Sequence, residues 1–144
     1  MTPQERAQRC ADAMWSTDQA SQTLGMRITA IGPGMATLTM QVREDMLNGH
    51  GICHGGIIFA LADSAFAFAC NTYNQLTVAQ QNQITYLTPG HAGETLTATA
   101  RESARQGRSG TYDVTVTGAD DRQIALFRGL SRTISGTHFD EDQP

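Results

Sequence analysis

Residues 55–73 read GGIIFALADSAFAFACNTY, a stretch too long and too evenly apolar for an ordinary strand. Ile57, Ile58, Phe59, Leu61, Phe66, Phe68 and Cys70, with alanines between them, surround a helical axis instead of forming one stripe. A helix that is apolar on every side must be enclosed by other elements. The spacing predicts one central helix over 55–73, begun by a glycine pair and interrupted by a single charge, Asp63.

The segments downstream supply the enclosure. TVAQQNQITYLTP, ETLTATARESAR, GTYDVTVTG and RQIALFRGLSRTIS are rich in Thr, Val, Ile and Tyr and are separated by PGHAG, QGRSG and GADD. They read as four strands in an antiparallel meander. Upstream, MRITAIG and GMATLTMQV meet at Gly32, Pro33 and Gly34 and predict a hairpin. Residues 4–23 have helix-forming composition, with Ala7, Ala11, Met14 and Trp15 on one face and Gly25 closing the element. The fold class is therefore α+β: a curved antiparallel sheet wrapped around one central helix, with a short N-terminal helix inside residues 1–23. No composition shift divides the chain, so residues 1–144 are expected to form one domain, ending in a mobile acidic tail over 137–144.

Composition narrows the function. At 144 residues, with 40% hydrophobic and 17% charged residues, the chain is long enough to bury a core without staples. A formal charge of -4 argues against nucleic acid as a partner, because phosphate binding needs a basic stripe. All ten cations are arginine, so only guanidinium groups are there to meet a phosphate or carboxylate. Cys10, Cys53 and Cys70 are an odd number without framework spacing, which points to a reducing compartment. The start, MTPQERAQRC, lacks the apolar core of a signal peptide, and no segment has the length of a membrane span. The cytoplasm is the expected location, with no membrane partner.

Asp63 is the anomaly of the central helix. Its neighbours three and four residues away are Phe59, Ala60, Phe66 and Ala67, none of them a cation. A carboxylate there reaches a groove, finds a donor, or is raised in pKa by desolvation. By itself it reads as an aspartate on an exposed sliver of helix. The preceding NGHGICHGG changes that weighting, because glycines at a helix start let a substrate oxygen approach unpaired N–H groups at the positive end of the macrodipole. Gly55 and Asp63 are eight residues apart, about 12 Å along one helix at about 1.5 Å per residue. One reacting carbonyl cannot touch both, so donor and carboxylate are better supplied by different subunits of an antiparallel dimer.

Other chemistries fit less well. His50, Cys53 and His54 lack the paired spacing and fourth ligand of a zinc site, so no metal or cofactor is expected. Cys53 and His54 are adjacent and lack a third orienting group, and no G-x-S-x-G elbow occurs. Arg105 and Arg108, before and within QGRSG, form the best local basic site for a nucleotide phosphate, or an ordinary solvated hairpin. Gln80 and Asn82 alternate with Gln81 and Gln83 in an unusually polar strand. Either one of these pairs lines a pocket or the strand is an interface edge.

The run LNGHGICHGGIIFALADSAFAFACN, followed by ITYLTPGHAGETLTATA and later ALFRG, resembles the hotdog-fold acyl-CoA thioesterases of the phenylacetic acid degradation (PaaI) type over residues 13–136. The resemblance implies a hotdog subunit that dimerises and pairs again into a homotetramer. It also implies hydrolysis of phenylacetyl-CoA or hydroxylated aryl-acyl-CoA esters. By position, Asp63 matches the family's nucleophile or general base, Gly55 the backbone N–H that polarises the thioester carbonyl, and His54 a neighbouring polar helper. Asn48 matches the residue that orients water or substrate; Gly56 and Gln80, with the two arginines, are candidates for binding the acyl-CoA. Some relatives place a serine on the strand after the helix, where this chain has VAQQNQ. Phe59, Phe66, Leu47 and Met46 are candidates for an aryl pocket. Two alternatives stand beside hydrolysis: hydration or dehydration of an acyl thioester with His54 and Asp63 as an acid/base pair, and a non-catalytic acyl-CoA sensor. The sensor is disfavoured by net charge and by an N-terminal region too short for a helix-turn-helix.

Overall fold

The computed structural model describes residues 1–143. Helix α1 (Pro3–Trp15) starts from a capping box in which Thr2 and Glu5 satisfy each other's backbone N–H groups. The expected single N-terminal helix is two: α1 ends at Ser16, and Asp18 caps a short α2 (Gln19–Thr23) by accepting from Ser21 N at 3.0 Å. A side chain able to cap a new helix competes with continuation of the old one. Strands β1 (Arg27–Gly32) and β2 (Met35–Gln41) form the hairpin, with Ala36, Leu38 and Met40 buried.

Helix α3 (Gly55–Cys70) is followed by β3 (Thr77–Tyr86), β4 (Thr95–Gln106), β5 (Ser109–Thr117) and β6 (Gln123–Thr133). α3 stops three residues short of the expected 73. The Asn71 side chain donates to Ala67 O (2.9 Å) and Thr77 O (3.0 Å) and accepts from Thr77 N (2.9 Å). It therefore ends the helix and fastens β3 to that end.

The sheet order is β1-β2-β4-β5-β6-β3, all pairs antiparallel. Only β4, β5 and β6 form the expected meander. β3 lies beyond β6, not beside β4, and residues 87–94 carry the chain back across the sheet. A strand with one neighbour tolerates the polar QQNQ run better than an interior strand would. The sheet is open, with β1 and β3 as its edges.

The core lies between the concave face and α3. Leu61, Ala62, Ala65, Phe66 and Phe68 pack on Leu38, Leu96, Ala98, Val114 and Phe127. Phe66 sits against Gly129, where a Cβ would lie 2.7 Å from its ring, so β6 has to carry glycine at that crossing. Enclosure is incomplete. Gly56 is exposed and Ala60, Asp63 and Ala67 only partly covered, leaving a strip along α3 that the chain itself does not bury.

The tail expected to be mobile makes specific contacts. His138 Nε2 meets Asn71 Oδ1 at 2.8 Å, Arg9 stacks on Phe139 with 4.0 Å to the ring centroid, and Arg6 pairs with Glu141 at 2.6 Å. These partners lie more than 60 residues away, so tail composition could not show them. Pro144 lies outside the described residues.

Candidate active site

A helix start leaves four N–H groups without intrahelical partners. In α3, Ile57 N and Ile58 N both donate to His54 O, at 2.9 and 3.2 Å, and Gly56 N donates to His54 Nδ1 at 2.9 Å. Among the described residues, Gly55 N–H alone in this turn has no acceptor. His54 is thus the N-cap of α3; with Nδ1 accepting, the proton of a neutral ring sits on Nε2. This arrangement occupies the N–H of Gly56, the candidate acyl-CoA contact next to Gly55.

The free N–H lies at a cavity of about 280 Å³ whose lining includes Asn48, Ile52, Gly55, Tyr86, Leu87 and Pro89. The Asn48 side-chain oxygen closes the preceding loop by accepting from His50 N (2.9 Å) and Ile52 N (3.3 Å). Its Nδ2 has no partner among the described residues. Tyr86 was not singled out by the sequence reading. Its hydroxyl donates to Gly55 O at 2.7 Å, and a Cβ at position 55 would lie 3.1 Å from the tip of its ring. Glycine at 55 therefore permits this close approach as well as access to the N–H. Phe66 and Met46, expected near the acyl group, are buried in the core.

Two turns further along α3, Asp63 is half-buried. Burial pushes its carboxyl above the usual aspartate value, partly offset by Asn82 Nδ2, which donates to Oδ1 at 2.9 Å. The adjacent Ser64 is engaged elsewhere, 2.8 Å from Ser21 of α2. Of the polar residues in β3, Asn82 is therefore the one at Asp63. Gln80 is exposed at a bulge and makes no hydrogen bond to it.

Arg105 lies at the opposite end of α3, its guanidinium 3.6 Å from the Tyr73 ring centroid. Arg108 is exposed in the β4–β5 turn and makes no ion pair among the described residues. Within one chain the arginines, Asp63 and Gly55 are strung along the helix, not gathered at one point. Burial pushes the Cys53 thiol up to about 11, so it is protonated at neutral pH and unsuited to nucleophilic attack. No helix is long and apolar enough to cross a membrane.

A helix cradled by a curved open sheet, with a bare N–H at its start, defines the class: the fold is that of the hotdog thioesterases. Residues 50–125 match the thioesterase superfamily. Acyl-coenzyme A thioesterase PaaI of Escherichia coli (strain K12) is 44% identical over 132 residues, covering 92% of this chain and 94% of that protein. The structure of the E. coli PaaI protein from the phenylacetic acid degradation operon superposes with a TM-score of 0.93, covering 94% and 99% of the two chains at 43% identity. A variant of phenylacetic acid degradation protein PaaI from Thermus thermophilus is 38% identical with a TM-score of 0.79, covering 81% of this chain and 100% of that one. A Streptococcus mutans UA159 protein solved bound to acetyl-CoA is 27% identical with a TM-score of 0.74, covering 78% and 90%. The chain belongs to the thioesterase superfamily and is a hydrolase.

Proposed function

We propose that this protein hydrolyses acyl-coenzyme A thioesters in the cytoplasm, with phenylacetyl-CoA and its hydroxylated aryl relatives as substrates, releasing the free acid and coenzyme A. The observation that carries this reading is the unpaired Gly55 N–H at the start of an apolar helix, facing a cavity lined largely by apolar residues. The thioester carbonyl oxygen accepts from that N–H, and the helix dipole favours the negative charge that develops there. Asp63 either takes a proton from a water that attacks the carbonyl carbon or attacks it directly. Collapse of the tetrahedral intermediate breaks the carbon–sulfur bond and expels the coenzyme A thiolate. In the direct route, water then hydrolyses the acyl–Asp63 anhydride. Asn48 Nδ2 is free to orient substrate or water, and His54 holds the turn that presents Gly55. The free cysteines Cys10, Cys53 and Cys70 accord with a cytoplasmic protein.

The site is completed by a second copy of the chain. Gly55 and Asp63 sit about 12 Å apart along α3, and the strip carrying Asp63 is left partly open beside the free edge of β3. An antiparallel partner brings its Asp63 to this Gly55, and two such dimers pair into a tetramer. Arg105 and Arg108, remote from Gly55 of their own chain, then serve the nucleotide phosphates of a site to which the partner contributes.

Co-expression of two inactive variants tests the shared site. Gly55→Pro deletes the N–H at a helix position that tolerates proline, and the extended backbone of His54 (φ -59°, ψ 132°) suits a following proline. Mixed with Asp63→Asn, half of randomly formed dimers carry one intact site, so about a quarter of wild-type thiol release from phenylacetyl-CoA is expected for a twofold-symmetric dimer. No recovery in verified mixed dimers would place both groups in one chain's site. Turnover by Asp63→Asn alone at the wild-type rate would refute its catalytic role.

A further inference from the structure

Strand β3 changes face partway along its length. Thr77 and Ala79 lie opposite Thr133 and Ser131 of β6, but the register shifts between Ala79 and Gln81. Beyond that bulge, Asn82, Ile84 and Tyr86 lie opposite Gly129, Phe127 and Ala125, the buried, helix-facing residues of β6. Without the extra residue, Gln81 and Gln83 would face α3 instead. Bulges that re-aim a side chain are common beside active sites. This one aims Asn82 at Asp63 and Tyr86 at Gly55.

We infer that Asn82 is the positioning residue of the Asp63 carboxylate, gripping Oδ1 so that Oδ2 is presented to the thioester or to water. Two observations carry this. The 2.9 Å bond from Nδ2 is the side-chain hydrogen bond Asp63 receives among the described residues. In that orientation the Asn82 Oδ1 is buried and has no partner. An orphaned buried carbonyl opposes folding, and an apolar residue of similar shape would avoid it. The asparagine therefore has a cost in stability that its bond to the carboxylate explains. Asn82 also favours the ionised form of Asp63 against burial. The nearby titratable group that senses Asp63 is Cys70, whose thiol is pushed up to about 12 by burial and stays neutral over the working range; Ser21 and Ser64 do not titrate.

The inference rests on Asp63 being the catalytic carboxylate. Asn82→Leu keeps the shape and removes the donor; Asn82→Asp sets a second carboxyl against the first, so that the two share a proton. Phenylacetyl-CoA hydrolysis is followed by thiol release across pH, with Tm measured in parallel. Asn82→Leu is expected to lower kcat at least tenfold with KM within about twofold and Tm unchanged or raised. The acid limb of its kcat profile should move to higher pH, and that of Asn82→Asp further still. Wild-type kcat and acid limb in both variants would overturn the inference, as would activity falling only in step with Tm while the limb stays in place. If Asn82→Leu does not fold, Asn82→Asp decides the matter by the same limb. Asp63→Asn separates the two failures: full turnover there sinks the reading of Asp63, whereas an inactive Asp63→Asn beside wild-type Asn82 variants sinks only this inference.

Discussion

The two ends of α3 are built differently. At the C-terminal end polar groups are paired densely: Asn71 binds Ala67, Thr77 and His138, and the Tyr73 and Tyr112 hydroxyls both donate to one Glu102 oxygen, at 3.0 and 2.9 Å. The proposed catalytic half of the helix leaves groups open instead: Gly55 N–H, Asn48 Nδ2 and one Asp63 oxygen, with a buried Asn82 oxygen beside them. Unpaired polar groups are costly in a fold and are concentrated where a ligand can complete them. The contrast separates an end that holds the structure from the end proposed to take substrate.

Substitutions at the two ends should therefore fail in different ways. The largest effect is expected for Asp63→Asn, which should lower kcat about 10²–10⁴-fold if the carboxylate moves a proton or attacks. Its effect on stability has the opposite sign. Burial raises the folded Asp63 carboxyl above its ordinary value of 3.8, so the folded chain holds that proton more tightly than the unfolded chain does. The stability this group contributes is greatest below 3.8 and falls as pH rises through the folded value. The variant should have a higher Tm than wild type at neutral pH, the gap closing under acid conditions. A lower Tm at neutral pH would contradict the desolvation argument.

Next comes Gly55→Pro, expected to cost about 10²–10³-fold in kcat through loss of one oxyanion donor. Gly55→Ala adds the same Cβ against Tyr86 but keeps the N–H. If the two variants lose activity equally, crowding and not the donor explains the loss. The smallest effect on catalysis is expected at the other end. Asn71→Ala should destabilise the fold on the order of 2 kcal/mol by stranding buried partners, seen as a lower denaturation midpoint, with kcat near wild type well below that midpoint. A large drop in kcat in the folded variant would erase the distinction between the ends.

Much of this was legible along the chain. The all-round apolar run marked α3, Gly32, Pro33 and Gly34 marked the β1–β2 hairpin, and the glycine pair marked the start of the central helix. The QQNQ run carried less information, because it is polar in both phases and a one-residue bulge could not be read from it. The destination of β3 beside β6 was equally hidden, since a short β3–β4 connection favours pairing of neighbours in sequence, whereas α3, between β2 and β3, had already carried the chain to the far edge of the sheet.

The linear sequence by itself determined the helix, its isolated carboxylate and the interval of about 12 Å between Gly55 and Asp63. Those features follow from local spacing and side-chain polarity. Only the tertiary structure decided that His54 takes the Gly56 N–H and leaves Gly55 bare, that Asn82 faces Asp63, and that the tail docks on α1. The first depends on how the backbone turns over two residues at the helix start, the others on where contacts between residues far apart in sequence close, and composition carries no record of either geometry.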